Sequence, residues 1–284
     1  MPELPEVEVV RAGLAPVLAG AQVTEVTVFD ERSLRRHPGP SEDFVDRLTG
    51  RVTGVPARRG KFMWVPLDGA DEALVMHLGM SGQMLLRSPG ATDRNTRIRL
   101  EVAHPGLGQF WLNFVDQRIF GSLAIDPFSV ADGVPSQVAH IARDPLDPAF
   151  DDAAFIARLR TRKTDIKRAL LDQTLISGIG NIYADEALWA ARIHYLQPTN
   201  TLSVARAKTL LAEVRVMLRK ALAEGGTSFD SQYLNVNGQA GYFAHSLHAY
   251  GRTGEPCHRC GTAIKRIPFA GRSSHFCPRC QRGR

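Results

Sequence analysis

The stretch CHRCGTAIKRIPFAGRSSHFCPRC, residues 257–280, decides how the end of this chain folds. It holds all 4 cysteines of the 284-residue sequence, as one C-x2-C at Cys257 and Cys260 and a second at Cys277 and Cys280, with 16 residues between the pairs. Each C-x2-C turn can aim two sulfurs at one ion. Two such turns fill a tetrahedral zinc sphere with no open position, so the spacing predicts one structural Zn2+. Two disulfides in a secreted module would use the same residues. The start of the chain has neither a basic n-region nor an apolar h-region, which favours the metal, and the stretch Met1 to Val10 is expected to stay on the mature protein. Arg272 lies between the cysteine pairs, where a small ribbon projects side chains outward.

The same tail carries the charge. Residues 249–284 hold 8 Lys/Arg against the single acid Glu255, a net of +7 in a chain whose total is +6, so the remainder sums to −1. Four thiolates and one zinc ion together remove two charges, which leaves the module at about +5. A basic tail on a near-neutral body points to a polyanion, nucleic acid first, although a solvated tail would look the same by charge alone. The composition, 44% hydrophobic and 23% charged, is that of an ordinary globular protein. No run approaches the ~18 apolar residues of a membrane span.

Working towards the N-terminus, the pattern is first helical and then mostly strand. Residues 203–224 place Ala207, Leu210, Leu211, Val214, Leu218 and Leu222 on one helical face, and Gly225-Gly226 stops that helix. The run at 227–248, containing YLNVNGQAGYF, loses all periodicity and reads as a long functional loop. In LLDQTLISGIGNIYADEALWAARI two helical patterns meet through Ser177-Gly178-Ile179-Gly180-Asn181, and the second helix offers its N-terminal N–H groups to an anion; the glycines could equally be simple helix breakers. The Pro- and Asp-rich stretch DGVPSQVAHIARDPLDPAFDD marks a boundary. Before it, VTEVTVF, KFMWVPL, ALVMHLGM, TRIRLEV and QFWLNFV read as short strands after a first helix over residues 6–18. In TRIRLEV, Ile98, Leu100 and Val102 are expected to face a core, and Arg97 and Arg99 to face out.

The chain opens MPELPEVEVV, which by itself is an unremarkable start. Taken in order, PELPEVE, RRGKF (58–62), MHLGMSG (76–82), DQRIFG (116–121), SGIGNIYADE (177–186) and the four-cysteine module resemble the formamidopyrimidine-DNA glycosylase family of bacterial base-excision repair enzymes, over nearly the whole chain. PELPE resembles the branch that removes oxidised purines. The sister endonuclease VIII branch, which acts on oxidised pyrimidines, typically begins PEGP, and a non-catalytic DNA-binding paralogue is the third reading.

The resemblance implies an α+β multidomain fold: a β-sandwich catalytic domain at 1–133, a helix-two-turns-helix domain with a lesion-capping loop at 134–248, and a zinc finger at 249–284. It implies a bifunctional DNA glycosylase and AP lyase for 8-oxoguanine and formamidopyrimidines in damaged double-stranded DNA. Removal of Met1 would free the secondary amine of Pro2, whose ordinary pKa of about 8 leaves a useful unprotonated fraction. That nitrogen would attack C1′, and the resulting iminium would drive β,δ-elimination. Glu3 would be the proton donor, with Glu6 ranked below it because it can instead cap the first helix. Lys61 and Arg272 would grip phosphates and assist elimination. Without the resemblance both read as solvated cations.

Eversion of the damaged nucleotide leaves a gap. By resemblance Met80, Arg118 and Phe120 fill it, although apolar periodicity alone favours core packing for Met80 and Phe120. Arg162, Lys163, Lys167, Asn181 and Tyr250 match DNA-contact positions of the family, most of them expected to touch phosphate. Where the family often has His ahead of TRIRLEV this chain has Arg94-Asn95-Thr96-Arg97, with Asn95 as the candidate contact, and Tyr195 stands where Pro is expected. A monomer in the bacterial cytoplasm, associated with the nucleoid and with no membrane contact, completes the expectation.

Overall fold

The first helix, α1 (Leu4–Leu18), begins two residues earlier than its apolar pattern suggests, because Pro5 falls in the first turn, where no backbone N–H is needed. Its face of Val7, Val10, Leu14 and Leu18 is buried. The structure, a computed structural model, describes residues 2–69, 71–129, 131, 133–226, 236 and 243–283. The chain divides into two units, residues 1–140 with 225–241, and 141–224 with 242–284.

In the first unit α1 is followed by β1 (Gln22–Val28), α2 (Ser41–Leu48), β2 (Ala57–Arg59), β3 (Phe62–Pro66), β4 (Glu72–His77), β5 (Gly82–Arg87), β6 (Thr96–His104), β7 (Gly108–Asp116), β8 (Ser122–Ser129) and the short β9 (Val134–Pro135). They form a sandwich of two antiparallel sheets, ordered β1-β6-β7-β5 and β2-β3-β4-β8-β9. Register follows side-chain alternation. Ile98, Leu100 and Val102 are fully buried in β6, and Arg99 lies outside with its guanidinium 3.8 Å from the Trp111 ring centroid. The core joins α1, Phe44 and Leu48 of α2, Met63 and Val65 of β3, and Phe114 of β7. Val236, the one described residue of the 227–242 run, is buried in this core, and its carbonyl accepts from Leu86 N–H at 3.1 Å. The rest of that run, the expected capping loop, lies outside the described residues.

The second unit contains α3 (Asp152–Thr161), α4 (Ile166–Leu171), α5 (Asn181–Ala190) and α6 (Val204–Ala223), then the hairpin β10 (Lys265–Phe269) and β11 (Arg272–Phe276). Side chains of Asp151 and Ser203 cap α3 and α6. The buried stripe of α6 runs through Ala207, Leu210, Leu211, Val214, Leu218 and then Ala221; Leu222, expected in the stripe, is half-buried. The helix stops where Gly225 and Gly226 take φ of 75° and 85°. Tyr195, in place of proline, fills space with its ring edge-on to Phe269 at 5.4 Å and tilted on Phe276 at 5.1 Å. Among the described residues no helix is long and apolar enough to cross a membrane.

Lys167 departs from the sequence expectation: it is fully buried and cannot present its ammonium to a phosphate. Its Nζ lies 2.7 Å from Asp185 Oδ1 and donates to Ser273 O at 2.8 Å and Ser274 Oγ at 2.9 Å. The second oxygen of Asp185 accepts the His275 N–H at 2.9 Å, so the pair ties α4 and α5 to β11. Removing one partner strands the other charge. Asp185→Ala should therefore cost about 3–5 kcal/mol in denaturant unfolding, and replacing both partners with apolar residues should cost clearly less. Equal losses would rule out an uncompensated buried charge.

Candidate functional site

Pro2 and Glu3 are both buried at the start of α1. The Glu3 N–H donates to Glu6 Oε2 at 2.8 Å in a capping box, so Glu6 spends its carboxylate on holding the first turn. One turn on, the Glu8 carboxylate reaches β2. Burial opposes its charge, but hydrogen bonds from Arg11 and Arg58 win and hold its pKa below the usual glutamate value. Arg58 Nε donates to Glu8 at 2.9 Å and its Nη1 to Gly60 O at 3.0 Å. Gly60 has φ of 58° in the turn that presents Lys61. A chain of ion pair and hydrogen bond thus ties the lysine turn to the helix that follows Pro2 and Glu3. The sequence reading missed Arg58 and Glu8 as the fastening. Its one signal was charge at fixed spacing in VEVVRAG and ARRGKF.

His77, the last residue of β4, was also missed, although it sits inside MHLGMSG. Its register partner is Phe62, and the two rings are 4.6 Å apart. Burial, then the nearby charges of Arg36, Lys61 and Arg35, lower its pKa to about 4. The imidazole is neutral at pH 7. Its Nδ1 accepts the Gly79 N–H at 3.1 Å, which puts the proton on Nε2 and gives an uncharged donor among cations.

Met80 and Phe120 are 38% and 44% exposed, which removes the core-packing alternative. They stand on adjoining turns with the exposed Arg118, whose guanidinium carbon is 5.3 Å from the Phe120 ring centroid. Asn95 takes a left-handed φ of 67° and lines a cavity of about 200 Å3 with Ser81, Gln83, Arg94, Val115 and Gln117.

In the second unit Asn181 is the first residue of α5. The turn before it is braced by one amide: Gln173 Oε1 accepts from Gly178 N at 2.9 Å, and its Nε2 donates to Ile179 O at 2.9 Å. Arg162 is paired with Asp172, and Lys163 is exposed. Tyr250 is half-buried, 4.7 Å from the His275 ring, and its N–H donates to Glu186. Burial raises the pKa of Glu186 against the N–H groups of Tyr250, Ala249 and His248, each 2.8 Å away. Arg272 is exposed at the start of β11, after a turn in which Gly271 has φ of 72°.

The ligand atoms of Cys257, Cys260, Cys277 and Cys280 all lie within 4.8 Å of one another, and Cys260 Sγ is 3.5 Å from those of Cys277 and Cys280. A tetrahedral Zn–S bond of roughly 2.3 Å requires sulfurs about 3.8 Å apart, so the four fit one zinc ion. Hydrogen bonds from Thr262 draw Cys260 down to about 6, while burial and the neighbouring sulfurs push Cys280 up to about 12. Four thiolates share this space only with a cation among them. Trp189 Nε1–H donates to Cys257 Sγ at 3.4 Å, a second layer around the donor set.

The comparisons with known proteins agree along the whole chain. Residues 1–123 match the formamidopyrimidine-DNA glycosylase N-terminal domain, 141–232 the H2TH domain of the same enzymes, and 254–283 the zinc finger found in FPG and IleRS. A formamidopyrimidine-DNA glycosylase of Leifsonia xyli is 62% identical over 296 residues, covering 99% of this chain and 100% of that protein. One from Streptomyces avermitilis is 57% identical over 283 residues, covering 99% and 98%. Among solved structures, a complex of Lactococcus lactis Fpg with abasic-site DNA superposes with a TM-score of 0.85 at 32% identity, covering 99% of this chain and 100% of that one. The MutM (Fpg) protein from Thermus thermophilus gives 0.84 at 34%, covering 99% and 98%.

Two outcomes follow from this geometry. The unfolded state protonates His77 near its ordinary pKa of 6.5, and the folded state only near 4, so His77 stabilises above pH 6.5 and that contribution is lost as pH falls towards 4. Between pH 7.5 and 4 the wild type should lose about 3 kcal/mol more unfolding free energy than His77→Gln. Parallel pH profiles for the two would refute the depressed pKa. Stripping zinc with a chelator should unfold the β10–β11 ribbon and change the fluorescence of Trp189, with recovery on adding zinc. Unchanged emission in metal-free protein would contradict a folding role for the ion.

Proposed function

This chain belongs to the formamidopyrimidine-DNA glycosylase family, and we propose that Pro2 and Glu3 form the centre with which it excises oxidised purines from damaged duplex DNA and cuts the strand. The observation that carries the reading is the fastening at α1. Pro2 and Glu3 are buried at a capped helix start, and that helix is fixed through Glu8 and Arg58 to the turn bearing Lys61. A nucleophile, a proton donor and a cation are thereby held on one scaffold.

In this reading Met1 is removed and the Pro2 nitrogen bonds to C1′ as the glycosidic bond breaks and the base departs. Glu3 gives a proton to the ring oxygen, and the sugar opens. The nitrogen, having lost its single hydrogen, forms an iminium that stays cationic and acidifies the neighbouring C–H bonds, so the 3′ and then the 5′ phosphate leave by β- and δ-elimination. Lys61 and Arg272 grip phosphates, and His77 donates a neutral hydrogen bond near Lys61. Met80, Arg118 and Phe120 occupy the gap in the duplex; their joint exposure supports this. Asn95, Lys163, Asn181 and Tyr250 position the backbone, and Arg162 does so from its pair with Asp172. Lys167 acts indirectly, by holding β11 and hence Arg272.

Residues 1–133, 134–248 and 249–284 work as catalytic, duplex-gripping and zinc-finger parts. Cys257, Cys260, Cys277 and Cys280 hold the structural zinc, which keeps the hairpin of Arg272 folded. The enzyme works as a cytoplasmic monomer on nucleoid DNA.

Borohydride should trap a covalent adduct between the processed chain and 8-oxoguanine DNA. Pro2→Gly, or retention of Met1, should abolish it, and Glu3→Gln should slow base release by about 10²–10⁴-fold. Adduct formation with a blocked N-terminus would sink the nucleophile assignment. Faster excision of thymine glycol than of 8-oxoguanine opposite cytosine would move the enzyme to the pyrimidine branch.

A further inference from the structure

Ile119 has φ of 56°, in the left-handed region that a β-branched side chain adopts only under constraint. It stands between Arg118 and Phe120, two exposed side chains that the turn throws to one side. The constraint is visible on both faces of the turn. Inside, Asp116 is fully buried. Its Oδ2 accepts the Gly121 N–H at 2.7 Å and its Oδ1 the Arg118 N–H at 3.2 Å. One carboxylate therefore grips the backbone on both sides of Ile119. Outside, Arg35 Nη1 donates to Ile119 O at 2.9 Å, and its Nη2 reaches Phe120 O.

The same carboxylate reaches the neighbouring turn. Ser81 Oγ donates to Asp116 Oδ1 at 2.5 Å and accepts from Arg118 N at 3.2 Å. Ser81 follows Met80, the third exposed side chain. The two turns meet backbone to backbone. At Gly79 a Cβ would lie 2.3 Å from the Phe120 carbonyl carbon, and at Gly121 one would lie 2.8 Å from His77 O, so only glycine permits the approach.

We propose that Asp116 is the positioning residue of a preformed wedge, in which a strained turn at Ile119 and the Met80 turn are locked into one rigid piece by the buried carboxylate, with Arg35 as the outer clamp, so that Met80, Arg118 and Phe120 enter the duplex together. This rests on the glycosylase reading above. A turn whose backbone is ordered before it meets DNA loses little conformational freedom on insertion, and that ordering cost has already been met during folding. Three flexible probes would each have to be ordered as the duplex opens. The Asp116 lock therefore acts on the opening step and not on the bond-breaking step.

The test compares wild type, Asp116→Asn and Ile119→Pro on two substrates: duplex DNA with 8-oxoguanine opposite cytosine, and a single-stranded oligonucleotide carrying an abasic site, which needs no opening. Asparagine keeps the size of the side chain but offers a single acceptor oxygen. Proline cannot take positive φ, and it tests the turn without touching the buried carboxylate. The ratio of duplex to single-strand cleavage should fall at least tenfold in both variants, through KM more than kcat. The fluorescence rise of 2-aminopurine placed opposite a tetrahydrofuran site should be lost in step. Equal losses on the two substrates, or a wild-type ratio and fluorescence response in either variant, overturn the proposal. Wild-type trapping on abasic DNA is run alongside. If it yields no adduct, the glycosylase reading falls and the wedge with it; if it yields one while the variants behave as wild type, the wedge alone falls.

Discussion

A single hydrogen bond, from the Glu3 N–H to the Glu6 carboxylate at 2.8 Å, holds the first turn of α1. Terminal residues usually fray. Here the first turn is capped, Pro5 occupies a position that needs no donor, and Val7, Val10, Leu14 and Leu18 anchor the helix in the sandwich core. The nucleophile proposed at Pro2 needs a position as definite as that of a side chain in the core. The capping box gives the terminus that definition, and the Glu8–Arg58–Gly60 connection carries it to the turn of Lys61.

Buried carboxylates recur as the means by which this fold aims its exposed residues. Asp116 accepts backbone N–H groups around Ile119, Asp185 accepts the His275 N–H and pairs with Lys167, and Glu186 accepts three consecutive N–H groups at His248, Ala249 and Tyr250. Burying an acid is costly unless donors surround it, and short runs of backbone amides supply such donors in fixed directions. Each acid lies beneath a segment whose neighbouring side chain is exposed or half-buried: Arg118 and Phe120, Arg272, and Tyr250. Stability and presentation are thus met by the same bonds. Gripping a duplex through its phosphate backbone calls for such rigid presentation more than for base-specific contacts.

The zinc site extends this logic to a ribbon too small to have a core of its own. Its apolar cluster is Trp189, Ala249, Ile264 and the cysteines themselves, so the metal supplies the cohesion that burial does not. The exposed Arg272 can then stand on a two-stranded hairpin without that hairpin fraying.

Much of this was legible in the residues. The C-x2-C pairs gave the metal, the alternation of TRIRLEV gave the strand and its inward face, and Gly225-Gly226 gave the end of α6, because each is a local pattern read over a few residues. Ala221 in place of Leu222 marks the limit of periodicity, since a helix face is only chosen to within one residue until its neighbour is packed against it. The ordered motifs of Pro2, Lys61, Arg118, Asn181 and the cysteines identified the family. The tertiary structure alone decided which charges are solvated. Lys167 and Lys163 are indistinguishable as sequence, yet one is sealed against Asp185 and Ser273 and the other is exposed. It alone showed that His77 is neutral, that Glu6 caps, and that Ile119 is held in a strained turn. Residue types and spacing are local and can be read directly. The burial of a charge depends on partners that folding brings from distant parts of the chain, and no local pattern records them.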